Sequence, residues 1–185
     1  MNSVVRARVQ VNSLVRSAAA VVGGVAALTL LSQVTIPLPF TPVPLSLGTL
    51  GAMLLGVFLG SKRGVAAAAL YAVLGMVGAP VFAGWSSGVM IVSFGYVLGY
   101  VAAAGLMGLW MERARHGGYF SALGATLGSS VIIYLFGLGW MMGMFAMPLE
   151  QALALGVVPF LVGDALKSLV IAGTARALKG RRIPW

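Results

Sequence analysis

Asp164 and Lys167 are the residues in this chain whose types and spacing point most directly to chemistry. They lie three positions apart in the run PFLVGDALKSLVIAGTA, Pro159 to Ala175, which is otherwise apolar or small. On a helix, an i, i+3 pair projects to one face. An ionisable group at bilayer depth costs ~2.5–3.5 kcal/mol on insertion scales, and such a group marks a functional site by default. The carboxylate would accept N–H donors and the ammonium would meet a polar or anionic oxygen, through charge-assisted hydrogen bonds. The bland alternative is an ion pair that satisfies itself and faces the interior of a bundle. The sequence leaves both readings standing.

Further candidates are aromatic and hydroxyl groups. In the segment APVFAGWSSG, residues 79–88, Phe82 and Trp85 offer flat surfaces for stacking, and Ser86 and Ser87 offer hydrogen bonds. The competing role for Trp85 is an interfacial anchor. Tyr96, Tyr100 and Tyr134 are polar aromatics inside apolar runs. A buried tyrosine commonly just satisfies a neighbour, so each of these is weak alone.

The elements that position these groups must lie in a membrane. The chain has 185 residues, of which 60% are hydrophobic and only 8% charged. A soluble domain would carry about 25% charged residues. Six spans are predicted: residues 17–33, 47–60, 64–78, 89–111, 119–144 and 159–178. They form one all-α domain over residues 1–185. The second and third spans are short for a ~30 Å hydrocarbon core. At 1.5 Å per residue, Asp164 and Lys167 lie roughly 8–12 Å from the outer end of the last span.

The net charge of +9 is a topology signal rather than a nucleic-acid patch. The basic residues cluster at Arg6, Arg8 and Arg16, at Lys62 and Arg63, at Arg113 and Arg115, and at Arg176, Lys179, Arg181 and Arg182. With six spans all four clusters fall on one side. Connections 34–46, 79–88 and 145–158 contain no Lys or Arg. The positive-inside rule then places both termini in the cytoplasm and the protein in the cytoplasmic membrane. Residues 1–16 form a cytoplasmic segment rather than a cleaved leader. Lys167 is the one basic residue that topology does not explain.

Two connections have character of their own. TIPLPFTPVP, Thr35 to Pro44, is extended by its prolines and too apolar for a solvated loop. It reads either as a lid-like flap over an outer cavity, within loop 34–46, or as a connector lying on its neighbours. The stretch LEQALALGVV, Leu149 to Val158, fits a short interfacial helix with Glu150 in its first turn, where an acidic group suits the helix dipole.

Several functions are disfavoured. No Walker A sequence is present, so ATP hydrolysis by that route is excluded. The chain has no cysteine and a single histidine, His116, which leaves no metal cluster or cofactor site. No second intramembrane carboxylate accompanies Asp164, which argues against an aspartyl protease. The chain therefore reads as a binding or transport protein and not an enzyme.

The run from Pro39 to Gly84 (PFTPVPLSLGTLGAMLLGVFLGSKRGVAAAALYAVLGMVGAPVFAG) and the run VPFLVGDALK, Val158 to Lys167, resemble the BioY family. Its members are the biotin-binding substrate (S) components of energy-coupling factor (ECF) transporters. The resemblance implies an S-component fold, with biotin near the outer face under the first loop and Asp164 and Lys167 in contact with it. It also implies that a small-residue face on the first helix docks a transmembrane coupling (T) subunit, with ATPase subunits supplying energy. Ala19, Gly23 and Ala27, at four-residue spacing, match that face, although Ala20 and Gly24 repeat the spacing. Intramolecular packing is the alternative use.

Two departures from the pattern stand near the implied site. Gly48 replaces a glutamine, and Val92-Ser93-Phe94-Gly95-Tyr96 replaces a Gly-Pro-Thr-Gly-Gly-Tyr-like segment. Biotin's ureido N–H groups would suit Asp164, and its carboxylate or ureido carbonyl would suit Lys167. Phe40, Phe82, Trp85 and Tyr96 would line apolar walls, with Ser86 and Tyr134 as polar contacts. Rival readings are an S component for another vitamin, such as riboflavin or thiamine, and a structural membrane protein with an internal Asp–Lys pair.

Overall fold

A computed structural model describes residues 2–113 and 118–178, with side chains from Ser13 onward. The side chains of Arg6 and Arg8, and residues Arg115, His116, Lys179, Arg181, Arg182 and Pro184, fall outside the described residues. Among the described residues the regular structure is helical apart from one two-stranded ribbon. The order is α1 (Asn2–Gln33), β1 (Thr35–Ile36), β2 (Leu45–Ser46), α2 (Gly48–Met76), α3 (Phe94–Arg113), α4 (Tyr119–Phe145), α5 (Leu149–Gly156) and α6 (Leu161–Leu178). Short 3-10 turns occur at Ala83–Trp85 and Val158–Phe160. Among the described residues, five helical stretches are long and apolar enough to cross a membrane: Ser13–Gln33, Gly48–Met76, Phe94–Arg113, Tyr119–Phe145 and Leu149–Leu178. The fifth joins α5, the intervening turn and α6.

α2 is not one straight rod. Gly60 has φ 75° and ψ −179°, a conformation essentially reserved for glycine. The chain reverses there. A Cβ on Gly64 would lie 3.2 Å from the backbone nitrogen of Gly56, although the two residues are eight positions apart. A Cβ on Gly24 of α1 would meet both Leu55 and Ala67, one from each arm. Glu112, at the end of α3, secures the second arm. Its carboxylate accepts the Ser61 N–H at 2.7 Å and the Ser61 hydroxyl at 2.8 Å. A carboxylate at a helix start satisfies an otherwise orphaned N–H and complements the dipole.

α3 packs between α2 and α4, while α6 lies mainly on α4. Small residues bring the backbones together. A Cβ on Gly56 would strike the Ala104 carbonyl, and one on Gly108 would strike Ser61. On the other side of α3, a Cβ on Gly99 would come within 2.7 Å of the Ile133 α-carbon. Without water to drive association, close packing of this kind is what holds helices together in lipid. α3 begins at Phe94 rather than Val89, because the chain from Gly88 (φ 85°) to Ser93 is still turning into place.

The proline-rich loop is closed at its base by the β1–β2 ribbon, with Thr35 opposite Ser46 and Ile36 opposite Leu45. Its extended backbone alternates: Thr41 and Val43 are buried while Phe40 and Pro42 are exposed. Thr41 Oγ1 donates to the Leu155 carbonyl at 2.7 Å, tying the loop to α5. The ends of the bundle differ in charge. The Glu112–Ser61 bond places the end of α3 beside the α2 reversal, so Lys62, Arg63 and Arg113 share one end. Arg16, midway along α1, and Arg176, in the last turn of α6, lie on that same side, away from the proline-rich loop.

Gly60→Ala is expected to lower stability by ~1–3 kcal/mol, the cost of forcing a side chain into that backbone conformation. The readout is the melting temperature of detergent-purified protein. Gly23→Ala is the control, since its methyl meets nothing within 4 Å. Equal melting of the two variants would refute the sharp reversal at Gly60.

Candidate functional site

α6 places Asp164 in its first turn and Lys167 one turn on. Lys167 Nζ donates to Asp164 Oδ1 at 2.7 Å, with side-chain exposures of 11% and 9%. The ammonium also donates to the Ser46 carbonyl at 2.8 Å and to Thr49 Oγ1 at 3.1 Å. Its three protons thus have three acceptors. Asp164 Oδ2 accepts the Tyr134 hydroxyl at 2.6 Å. Both carboxylate oxygens are therefore engaged, and the pair adds no net charge to its surroundings.

This polar centre forms one side of a cleft of about 530 Å³, counted out to its open mouth. The cleft gathers the loop-side ends of the helices. Ser32 comes from the end of α1, Thr49 from the start of α2 and Tyr71 from its second arm. Ser93, Tyr96 and Tyr100 come from the start of α3, and Phe160 leads into α6. Val43, Pro44 and Ser46 of the proline-rich loop close another side.

The walls combine aromatic surface with hydroxyls that already have partners. The Tyr71 hydroxyl donates to Ser32 Oγ at 2.9 Å, and the Tyr96 hydroxyl to the Gly156 carbonyl at 2.7 Å. The Phe82 ring stands edge-on to Tyr71, centroids 5.3 Å apart, and tilted to Phe94 at 6.0 Å. Phe94 in turn meets Trp140 at 5.0 Å. Phe82 is only 1% exposed, and its ring lies on the α-carbon of Gly75, where any side chain would overlap it.

Among the residues expected from sequence, the structure brings Asp164, Lys167, Phe82, Tyr96 and Tyr134 together in the lining. Phe40, Trp85 and Ser86 are not in it, and each has a physical reason. Phe40 falls on the outward side of the extended loop and is 62% exposed. Trp85 adopts a left-handed backbone, φ 58°, which turns its ring out to 62% exposure. Ser86 Oγ is spent on the Ala83 carbonyl at 2.8 Å. Sequence reasoning passed over Ser32, Ser46, Thr49, Tyr71 and Ser93 as lining residues. Ser46 and Thr49 sit within the quoted PLSLGTL stretch, so that motif held a signal. Ser32 and Tyr71 have only their polarity within apolar runs.

Gly48 makes room for Tyr100. A Cβ there would lie 2.6 Å from the Tyr100 hydroxyl and 3.1 Å from Ser32 Oγ. The second departure noted in sequence, at Val92–Tyr96, supplies Ser93 and Tyr96 to the lining. Outside the cleft, Ala19, Gly23 and Ala27 are exposed on α1. Gly23 and Ala27 lie in an apolar groove between α1 and α2, together with Gly24, Leu55 and Phe58. Ala19 is not among the residues of that groove. No cluster able to hold a metal occurs among the described residues.

Comparison with known proteins follows the same lines. A family model described as "BioY family" matches residues 2–183. The chain is 34% identical to the probable biotin transporter BioY of Pyrococcus horikoshii, over 75% of this chain and 82% of that one. It is 37% identical to the biotin transporter BioY of Rhodobacter capsulatus, over 77% of this chain and 82% of that one. Among solved structures it matches an S-component for biotin from an ECF-type ABC transporter, with TM-score 0.80 and 24% identity. The match covers 92% of this chain and 94% of that one. At that identity the likeness speaks to the fold, which is shared.

Losing one partner of a buried pair strands the other, at a cost of about 3–5 kcal/mol, whereas replacing both is far milder. Lys167→Met should therefore lower the melting temperature of the empty protein more than the double variant Asp164→Asn/Lys167→Met. A double variant that melts below the single one would contradict the pairing.

Proposed function

The chain belongs to the BioY family, and on that premise we propose that it binds biotin and serves as the substrate-specific component of an ECF-type transporter. It is a transport component and not an enzyme. The observation that carries the reading is the cleft with one charged pair set in an aromatic and hydroxyl wall. Biotin has a ureido ring with two N–H donors, an apolar thioether ring and a valerate carboxylate. Asp164 accepts the ureido N–H groups. Lys167 exchanges one of its other acceptors, Ser46 or Thr49, for a ligand oxygen, from either the carboxylate or the ureido carbonyl. Phe82, Tyr96 and Tyr134 pack on the ring system. Loop 34–46, which supplies Val43 and Pro44 to the lining, acts as the lid.

The same reading sets the topology. The two arms of α2 count as separate crossings, which gives six. The basic end of the bundle faces the cytoplasm by the positive-inside rule. Both termini are then cytoplasmic, and the cleft opens outward. The exposed face of α1 at Ala19, Gly23 and Ala27 docks a transmembrane coupling subunit, and separate ATPase subunits supply the energy.

An internal ion pair in a purely structural protein would share the Asp164–Lys167 contact. The open cleft beside that contact favours the ligand reading. Calorimetry of purified protein decides between them. Biotin should bind, and Asp164→Asn should weaken it by ~2 kcal/mol or more through loss of a charged hydrogen bond. Unchanged affinity in a folded variant would sink the assignment of Asp164. Thermal stabilisation by riboflavin or thiamine, and not by biotin, would reassign the ligand.

A further inference from the structure

We propose that Gln33 is a positioning residue for the ligand site, whose carboxamide clamps the 81–85 loop to the end of α1 and so fixes Phe82 as a wall of the cleft. The inference rests on the ligand reading above and assigns a role to a side chain outside the cleft lining.

Gln33 is the last residue of α1. Its Nε2 group donates to the Val81 carbonyl at 3.2 Å and the Phe82 carbonyl at 3.1 Å, and also reaches the Thr29 carbonyl at 3.2 Å. Its Oε1 accepts the Trp85 N–H at 2.8 Å. One amide thus serves both chain directions of the loop, as donor to its entry and acceptor to its exit. A carboxamide is suited to this because it carries a donor and an acceptor on one rigid plane.

The loop needs such a tie. Gly84 has φ 66° and Trp85 φ 58°, and a non-glycine residue in the left-handed region persists only when its surroundings hold it there. Packing does not hold Trp85, since the residue is 62% exposed. Two other bonds, Phe82 N–H to the Ser86 carbonyl at 3.0 Å and Ser86 Oγ to the Ala83 carbonyl, close the loop only on itself. Gln33 connects it to a helix. What the loop carries is Phe82, whose ring is buried against Tyr71 and Phe94 and faces the cleft.

Replacing Gln33 with leucine removes its bonds to two carbonyls and one N–H of the loop, along with the one to Thr29. The loop loosens, Phe82 leaves its seat more often, and ligand escapes faster. Two measurements on purified protein test this. Without ligand, amide hydrogen exchange across residues 81–86 should rise about tenfold in Gln33→Leu, in line with the loss of one or two net hydrogen bonds. With labelled biotin chased by unlabelled, release should accelerate by a similar factor. Phe82→Ala should accelerate release as well, and Gln33→Leu/Phe82→Ala should be no faster than Phe82→Ala alone. Gln33→Glu keeps the acceptor for Trp85 and gives an intermediate rate, which covers the case of a leucine variant that does not fold. Unchanged release from the Gln33 variants, or additive effects in the double variant, would overturn the proposal. Because exchange is read without ligand, a clamp that responds in a protein unable to bind biotin would refute the ligand reading alone.

Discussion

An ammonium and a carboxylate sit where there is too little water to solvate them, and the polar architecture of the site answers to that constraint. Asp164 and Lys167 neutralise each other, but a contact between two charges leaves lone pairs and protons over. Tyr134 takes one remainder on the carboxylate, and Ser46 and Thr49 take those on the ammonium. These partners come from α4, from the base of the proline-rich loop and from the start of α2. Elements distant in sequence are thus gathered around one pair. The start of α6 adds its own dipole to the support of Asp164.

Helix content and the placement of Asp164 and Lys167 were legible because they depend on composition and on local spacing. A long apolar run reads as a helix whatever surrounds it, and an i, i+3 pair shares a face by geometry alone. The reversal of α2 was legible as a break between two short apolar runs at Lys62 and Arg63. Its actual device, the backbone of Gly60 with Ser61 held by Glu112, was not. Glu112 follows an apolar run with nothing local to mark its role, because its partner lies 51 residues away in sequence.

The same distinction separates Phe82 from Trp85 in one short segment. Both are aromatic and three positions apart, and sequence separates them only by the interfacial anchoring open to Trp85. What divides them is the left-handed turn at Gly84 and Trp85 and the bonds from Gln33. Those are tertiary facts, and Gln33 carries no local pattern to announce them. Phe40 is a similar case: alternation along the loop is readable, but its phase is set by Thr41 reaching Leu155.

The reversal at Gly60 also bears on the lipid around the protein. At 1.5 Å per residue, stretches 48–59 and 61–76 are only about 18 and 24 Å long. A hydrocarbon layer is ~30 Å thick, and a span too short for it is matched by thinning of the bilayer or by flanking groups reaching outward. α4, Tyr119–Phe145, is by the same measure about 40 Å long. The protein therefore presents a short side and a long side to one membrane. A span longer than the layer is met by tilting or by local thickening, so lipid would thin beside α2 and thicken beside α4, or α4 would lean to fit.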